Sequence, residues 1–490
     1  MSQQPNILVI CSDQHTPGVT GCYGDRVVQT PNLDRLAAEG TCYDSAYCNQ
    51  PLCVPSRMSF LTGRYPSRIG VLGNGHVLDS RIPTFAHVAA ASEYRTVLAG
   101  RMHFVGPDQY HGFQERIASD YTAYAFHCAK INRYNPLNGL LGSGGRPDAL
   151  LEVGEGVTCT QRMDKETTAA AIDWLRGCCS EGTERPFLMT VGYFSPHCPY
   201  IAESPYFRRY EGRVQPHSVT DDELASLHPC HMKHREQIRI ATIPGENIEK
   251  ATAAYYGLVD FLDDQVDMLL ETLEDLGLTE NTVIIYTSDH GEMLGEHGRW
   301  HKQSFFEASA RVPLIIRPAG GDAARRVPVP VSLVDLFPTI AALIGTEIPF
   351  HVDGRELLQS RPDGRPVFAE FHDGNGSHRM IRTERYKLNY YAGYESYELF
   401  DLEKDPGELT NVSGDAAYAE IESELRQQLF ADGWSGSCRL DHDRYLEELG
   451  YPLVRAMGKP TQALIENGTI VEVPGYDVAA GRYPNRLETE

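Results

Sequence analysis

Six stretches of this 490-residue chain carry side chains that could do chemistry together. The first is Cys53-Val54-Pro55-Ser56-Arg57, which runs on into Met58-Ser59-Phe60-Leu61-Thr62-Gly63-Arg64. It sets a thiol on a proline-constrained turn, with an arginine four residues on. A thiol beside a fixed cation is a candidate activated nucleophile. On local chemistry alone a buried cysteine opening a core helix is the more economical reading, because free cysteine is among the most buried residue types. The remaining stretches are Asp13-Gln14, Arg101 with His103, His197, Asp289-His290 and Lys302.

These residues fall into two chemical sets. Asp13, Gln14, Asp289 and His290 offer mainly oxygen ligands and one imidazole. Such a set suits a hard divalent ion, Ca²⁺ first, with Mg²⁺ and Mn²⁺ as alternatives. No His/Cys cluster at zinc spacing accompanies them. Arg57, Arg101, His103, His197 and Lys302 are cations and donors fit to hold a tetrahedral oxyanion and the charge developing on it. Asn74, in the glycine-flanked loop Gly73-Asn74-Gly75, is a further candidate donor to substrate, although asparagine is common in turns.

The elements that must position them are readable from hydrophobic pattern. Residues 6–11, 96–100, 187–192 and 281–287 are continuous apolar runs, the mark of strands buried on both faces. Each delivers one of the polar groups to its C-terminal end. A fifth such run is 312–316. Between them, residues 30–37, 57–61, 164–178, 251–276 and 331–344 read as helices. The alternation predicts an α/β fold: a large, mostly parallel central sheet flanked by helices, with a polar cleft at its carboxyl edge. A helix starting beside Cys53 would lower the thiol pKa and favour a nearby anion. Residues 107–160 are rich in Gly, Pro, Tyr and Asn and are expected to shape specificity. Residues 204–244 are polar and without period. From about 366 the pattern changes to short strands with turn signals, then a helix. The expected organisation is therefore a catalytic domain over 1–365, a smaller C-terminal antiparallel sheet plus helix over 366–430, and an extension over 431–490.

Composition narrows the function. A formal net charge of -23 excludes a nonspecific binder of nucleic acid or anionic membrane, since such a surface repels phosphate. No apolar run is long enough to span a bilayer. The N-terminus leads straight into a strand-like run, and the 12 cysteines are scattered without a CxxC pair. Reduced thiols in a cytoplasm are the expectation.

The Cys53 stretch is more specific as a pattern than as chemistry. Cys53, Pro55, Ser56, Arg57, Leu61, Thr62 and Gly63 together resemble the signature of the type I sulfatases of the alkaline phosphatase superfamily. The resemblance runs from Asn6 to Leu343 and extends weakly into the C-terminal sheet, where residues 398–406 resemble a recurrent turn. It implies that a maturation enzyme converts Cys53 to formylglycine. One hydroxyl of the aldehyde hydrate then attacks sulfur, and the second lets the adduct collapse and release sulfate; an ordinary serine or cysteine would remain esterified. By the same resemblance Asp13, Gln14, Asp289 and His290 are metal ligands, and the matured Cys53 binds the same ion. Arg57 orients the hydrate, with His103 near its second hydroxyl. His197 contacts sulfate and protonates the leaving oxygen, and Lys302 binds sulfate.

Two positions depart from the common pattern. Many relatives have Asp-Asp where this chain has Asp13-Gln14, a form similar to choline sulfatases and phosphonate monoester hydrolases. Many have lysine where Arg101 stands, and an arginine cannot shuttle a proton. Residues 82–87 and 102–113 also resemble choline sulfatases. A choline site needs an aromatic cage, for which Tyr110, Tyr121, Tyr124 and Tyr134 are candidates. The expected activity is release of sulfate from an organic sulfate ester, either a sulfated carbohydrate or a small molecule such as choline sulfate. The same-site alternative is hydrolysis of phosphonate monoesters or phosphodiesters. The expected partners are that ester and the formylglycine-generating enzyme, with self-association through the 431–490 extension.

Overall fold

The structure, a computed structural model, describes residues 4–118, 120, 147–180, 185–358, 364–373 and 376–434. The expected 431–490 extension, apart from its first four residues, lies outside the described residues, as do Tyr121, Tyr124 and Tyr134.

The central sheet has eight strands: β1 (Asn6–Asp13), β2 (Thr41–Tyr43), β3 (Arg95–Gly100), β4 (Glu115–Arg116), β5 (Phe187–Pro196), β6 (Thr282–Ser288), β7 (Leu314–Arg317) and β8 (Arg325–Val327). Their order is β8-β2-β7-β6-β1-β5-β3-β4. The run β6-β1-β5-β3-β4 is parallel throughout, whereas β7 is antiparallel to both its neighbours. The principal helices are α1 (Pro31–Ala38), α2 (Cys53–Thr62), α3 (Cys159–Ser180), α4 (Pro229–Gln237), α5 (Gly245–Asp275), α6 (Leu336–Ile344) and α7 (Ala419–Leu429).

Successive residues of a strand face opposite sides of its sheet. In β1, Ile7, Val9 and Cys11 join a cluster with Phe60, Leu61, Leu336 and Phe337 from α2 and α6. Leu8 and Ile10 join another on the opposite face, with Leu175 of α3 and Leu262, Val266 and Leu269 of α5. Each such aliphatic side chain contributes about 1.5–3 kcal/mol on burial. Helices on both faces explain why the strand is apolar at every position from Ile7 to Cys11.

This layering places the chemistry. β6, β1, β5 and β3 are adjacent and point the same way, so Asp289, Asp13, His197 and Arg101 leave the sheet at one edge. The chain leaving β3 crosses hard against β5: a Cβ at Gly192 would stand 1.7 Å from the Arg101 carbonyl oxygen. Glycine is required there by that close approach.

Several boundaries differ from the sequence reading. The strand expected over 312–316 starts at Leu314, because Pro313 has no N–H to give the ladder, and Val312 pairs instead with Ala46 in a small separate sheet. The helix expected from 331 starts at Leu336. Val331–Ser332 is a short strand; the Asp335 carboxylate accepts from the Ser332 N–H at 2.8 Å and caps a 3-10 turn, Leu333–Asp335, from which the α-helix continues. The unassigned stretch 204–244 contains three short helices, Ser204–Tyr210, Asp221–Ser226 and α4. The C-terminal sheet is antiparallel, in the order β9 (Val367–Asp373), β10 (Gly376–Arg382), β11 (Tyr386–Tyr391) and β12 (Ser396–Asp401), with α7 packed on it. No helix among the described residues is long and apolar enough to cross a membrane.

Candidate active site

Cys53 is the first residue of α2, whose ten residues are all buried and which ends at Gly63 in the left-handed region, φ 67°. The open backbone N–H groups and positive end of the helix dipole therefore lie at the thiol. Val54 N–H is taken by Asn74 Oδ1 at 3.0 Å. Asn74 thus spends its acceptor on the helix start.

One turn along α2, Arg57 is fully buried and ties the strand ends together. Its Nε donates to Asp289 Oδ2 at 2.8 Å, one Nη to the Arg101 carbonyl at 2.9 Å, and the other to Asp13 Oδ2 and the Ser12 carbonyl, both at 3.2 Å. Arg101 Nε adds a second donor to Asp13 Oδ2 at 2.5 Å, and its guanidinium lies 4.3 Å from the centre of the Phe194 ring. A fully buried arginine that bridges two carboxylates and two carbonyls is a positioning device, since its cost is met only if every donor is used.

These contacts occupy the Oδ2 atoms and leave Asp13 Oδ1 turned inward; Asp289 Oδ1 also faces inward while accepting the Gln14 and His290 backbone N–H groups at 3.0 and 2.9 Å. Asp13 Oδ1 lies 3.7 Å from Cys53 Sγ and 3.8 Å from His290 Nε2, and His290 Nε2 lies 3.3 Å from Sγ and 3.5 Å from Asp289 Oδ1. One ligand atom from each of these four residues lies within 4.8 Å of the others. His290 donates Nδ1–H to the Gly291 carbonyl at 3.0 Å, which leaves Nε2 as a lone pair facing the group. Two inward carboxylate oxygens and one imidazole lone pair are a donor set that fits a divalent cation. Burial works against ionised Asp13, but Arg101 leads the charges that hold it well below the usual carboxylate range. Burial pushes Asp289 up, against Arg57.

The opposite wall is cationic. Lys302 Nζ lies 3.1 Å from Cys53 Sγ and donates to Gln14 Oε1 at 2.6 Å. His197 donates Nδ1–H to the Cys198 carbonyl at 2.6 Å, so its Nε2, 4.0 Å from Asp13 Oδ1, carries a proton only when the ring is cationic. Arg101 Nη2 lies 3.0 Å from His103 Nδ1. Arginine only donates, so His103 Nδ1 accepts and Nε2 holds the ring proton. Burial pushes the Cys53 thiol up, yet Lys302 and His290, with hydrogen bonds from His103 and His197, outweigh it and hold the thiol well below its ordinary value.

The sequence-predicted site residues thus gather around the start of α2, Asn74 through the Val54 N–H. Three polar neighbours were not singled out from the sequence. Asp120 accepts the His103 N–H at 2.6 Å and sits in an unpatterned stretch that carries no signal. Ser56 donates to the Asp289 carbonyl from inside the motif itself. Glu292 is fully buried and accepts the Gln14 side-chain N–H and the His301 N–H, the latter at 2.7 Å. An ammonium only donates, so the Gln14 Oε1 must face Lys302 and the ligand group, and the amide nitrogen faces Glu292. The signal for Glu292 was its place two residues after His290. Gln14, His103 and His301 have φ of 71°, 61° and 68°, a backbone region that costs a non-glycine residue about 1–3 kcal/mol. Tyr110, the one cage candidate among the described residues, is 51% exposed.

A parallel sheet edge that gathers a buried nucleophile, a divalent-ion donor set and a cationic wall defines a hydrolase acting on an oxyanion ester. The chain matches the sulfatase family over residues 5–346, and the C-terminal family of N-sulphoglucosamine sulphohydrolase over residues 295–432. It is 33% identical over 435 residues to a choline-sulfatase of Rhizobium meliloti (strain 1021), covering 84% of this chain and 82% of that one. It is 30% identical to arylsulfatase K of Bos taurus, over 87% of this chain and 81% of that one. Its fold is similar to that of the phosphonate monoester hydrolase of Agrobacterium radiobacter, with TM-score 0.73 and 26% identity over 92% of this chain and 98% of that one. The chain belongs to the sulfatase family and is a sulfuric ester hydrolase. Metal binding and formylglycine are general features of that family.

Proposed function

We propose that the chain releases inorganic sulfate from a small organic sulfate or a sulfated carbohydrate, with Cys53 matured to formylglycine as its nucleophile. The observation that carries this reading is the meeting of Asp13, Asp289, His290 and Lys302 around Cys53 at the start of α2. Once converted, Cys53 would supply a geminal diol, one oxygen to attack sulfur and one to let the site regenerate. A divalent ion, Ca²⁺ first by donor hardness, would be held by Asp13, Gln14, Asp289 and His290 and would supply positive charge beside that nucleophile.

The chain's own residues account for the rest. Lys302 and His197 face the position of a sulfate on Cys53, and Lys302 neutralises charge there, while burial and Lys302 push the His197 ring toward its neutral form. His197, when protonated, is the group placed to give a proton to the leaving alcohol. His103 presents Nε2–H to Cys53 and is placed to hold and return the proton of the second diol oxygen. Arg101 cannot shuttle that proton, but by donating to Nδ1 it holds His103 in the required tautomer. Arg57 holds the two carboxylates in register.

Choline sulfate is the first small substrate to test, since a choline-sulfatase is among the relatives. The structural likeness to a phosphonate monoester hydrolase makes phosphorus esters the second reading. The test is sulfate release by the matured protein from choline sulfate, sulfated sugars and an aryl sulfate, beside an aryl phosphonate at equal concentration. Turnover of a sulfate ester above the phosphonate is expected; a large preference for the phosphonate would overturn the reading.

A further inference from the structure

A second set of ligand-type side chains converges away from Cys53, where α4 meets the C-terminal sheet. Cys230 is the second residue of α4, Asp373 ends β9, and His378 lies across the hairpin on β10. One ligand atom from each lies within 4.8 Å of the other two. Cys230 is 7% exposed and His378 is fully buried. His378 Nε2 is 3.2 Å from Asp373 Oδ1, while its Nδ1 is buried without a hydrogen-bond partner. The nitrogen placed to ligate is therefore Nε2, which faces a carboxylate at the mouth of a thiol-lined corner, and on binding an ion the ring proton would sit on Nδ1.

We propose that Cys230, Asp373 and His378 form a second metal site, for a thiophilic divalent ion of the Zn²⁺ kind, separate from the catalytic centre. Two atoms 3.2 Å apart fit adjacent corners of a tetrahedron with bonds of about 2.0–2.1 Å, the length zinc makes to imidazole and carboxylate. Thiolate, imidazole and carboxylate together favour zinc over calcium or magnesium. On binding, the Cys230 thiol gives up its proton to solvent, and thiolate plus carboxylate balance the double charge of the ion. A fourth position is left for water. Burial pushes the free Cys230 thiol up to about 12, so without a cation it stays neutral. The site would staple α4 to the C-terminal sheet. The next residue, His231, receives Arg299, and Arg299 also holds the carbonyls of Lys302 and Gln303, at 3.4 and 3.1 Å. The staple therefore lies one contact from the loop that carries Lys302.

The test uses the full chain with Cys53→Ala, which removes the catalytic thiol from the measurement. Zinc alone is titrated against the metal-stripped protein, and Co²⁺ replaces it to reveal thiolate coordination by a sulfur-to-cobalt charge-transfer band. One high-affinity equivalent with that band is expected, and Cys230→Ser should abolish the band. His378→Ala should weaken zinc binding about 100-fold and Asp373→Asn about 10-fold. Asp373 is partly exposed, so its variant tests the site without disturbing the core. Absence of the band in the Cys53→Ala protein overturns the proposal. So does an unchanged band in Cys230→Ser, or unchanged zinc affinity in both Asp373→Asn and His378→Ala.

Discussion

Two lysines of this protein are buried almost equally, and they do different things. Lys302, 3% exposed, stands at the catalytic centre; Lys387, fully buried, stands in the seam between the central domain and the C-terminal sheet. An ammonium has three donors. Lys387 donates to the Phe305 carbonyl and to Glu307 at 2.8 Å each and lies 2.5 Å from a second carboxylate, Glu408. Lys302 donates to two groups that carry no full negative charge in their neutral forms, Gln14 Oε1 and Cys53 Sγ. The charge of the seam lysine is met by two fixed carboxylates and has nothing left to recognise. The catalytic lysine keeps a donor for a group that arrives and leaves. The same contrast holds for the carboxylates: Lys387, Arg311 and Arg382 hold the charge of Glu307, whereas Asp13 turns Oδ1 toward the centre it shares with Cys53 and His290. A buried charge alone does not mark function; an unspent bonding direction beside a nucleophile does.

The largest effect that would break this contrast lies at Cys53. Cys53→Ala should lower turnover by at least about 10⁴-fold, as removal of a nucleophile does, and leave the melting temperature near that of the parent. Sulfate release measured alongside a thermal melt checks both halves. Near-normal turnover would remove Cys53 from the mechanism and with it the reason to treat Lys302 as special.

Exchanging each lysine for methionine separates the two roles directly. Lys387→Met strands Glu307 and Glu408 in the interior, so it should destabilise the fold by about 3–5 kcal/mol with a much smaller change in turnover per folded molecule. Lys302→Met should do the opposite: turnover should fall about 10²–10³-fold, the usual cost of one oxyanion donor, with little loss of stability. Urea unfolding and steady-state rates on the two variants decide the matter. Equal loss of stability in both would mean that the spare donor of Lys302 carries no information.

Much of the central sheet was legible because strands covered on both faces must be apolar at every position, and each run then ended in a conspicuous polar pair. The grouping of Asp13, Arg101, His197 and Asp289 followed from parallel strand direction alone. Other features depend on atoms that no spacing records. Asp335 caps the turn at Leu333–Asp335 that precedes the α-helix through one hydrogen bond from Ser332. Residues 204–244 had no visible period because their helices are too short to build an apolar stripe. Asn74 read as a donor to substrate; that its Oδ1 also accepts the Val54 N–H at the start of α2 is a contact no spacing records. Cys230 is far in the chain from Asp373 and His378, which share one hairpin, and meets them only once that hairpin lies on α4.

Glu292 offers a finer test of how the centre is oriented. It holds the nitrogen end of the Gln14 amide and so turns Oε1 toward Lys302 and the metal donors. Glu292→Gln presents an amide in place of the carboxylate and frees Gln14 to flip. Metal affinity should fall about 10–100-fold, as for loss of other groups that orient a ligand, with the fold retained. Calorimetric titration of the metal-stripped protein with Ca²⁺ measures this without reference to turnover. Unchanged affinity would place Gln14 outside the ion's reach.

The smallest effect belongs to the seam and is set by pH. Asp432 receives both Nη atoms of the fully buried Arg379 at 2.7 Å and one Nη of Arg68 at 3.1 Å, joining the C-terminal sheet to the segment that follows α2. Burial opposes its charge, but Arg379 and Arg68 outweigh it and hold the carboxyl at about 2. An unfolded aspartate titrates near 3.9. The folded value is the lower, so the stabilisation is present above about pH 4 and is lost as pH falls toward about 2. The pH-dependent part should amount to about 2 kcal/mol. Asp432→Asn should therefore be less stable than the parent at pH 6, with a difference that narrows between pH 4 and pH 2. Denaturant unfolding of both proteins across that range checks the sign. A difference that stayed constant would mean the seam is held by packing and neutral hydrogen bonds, and its contrast with the catalytic centre would rest on Lys387 alone.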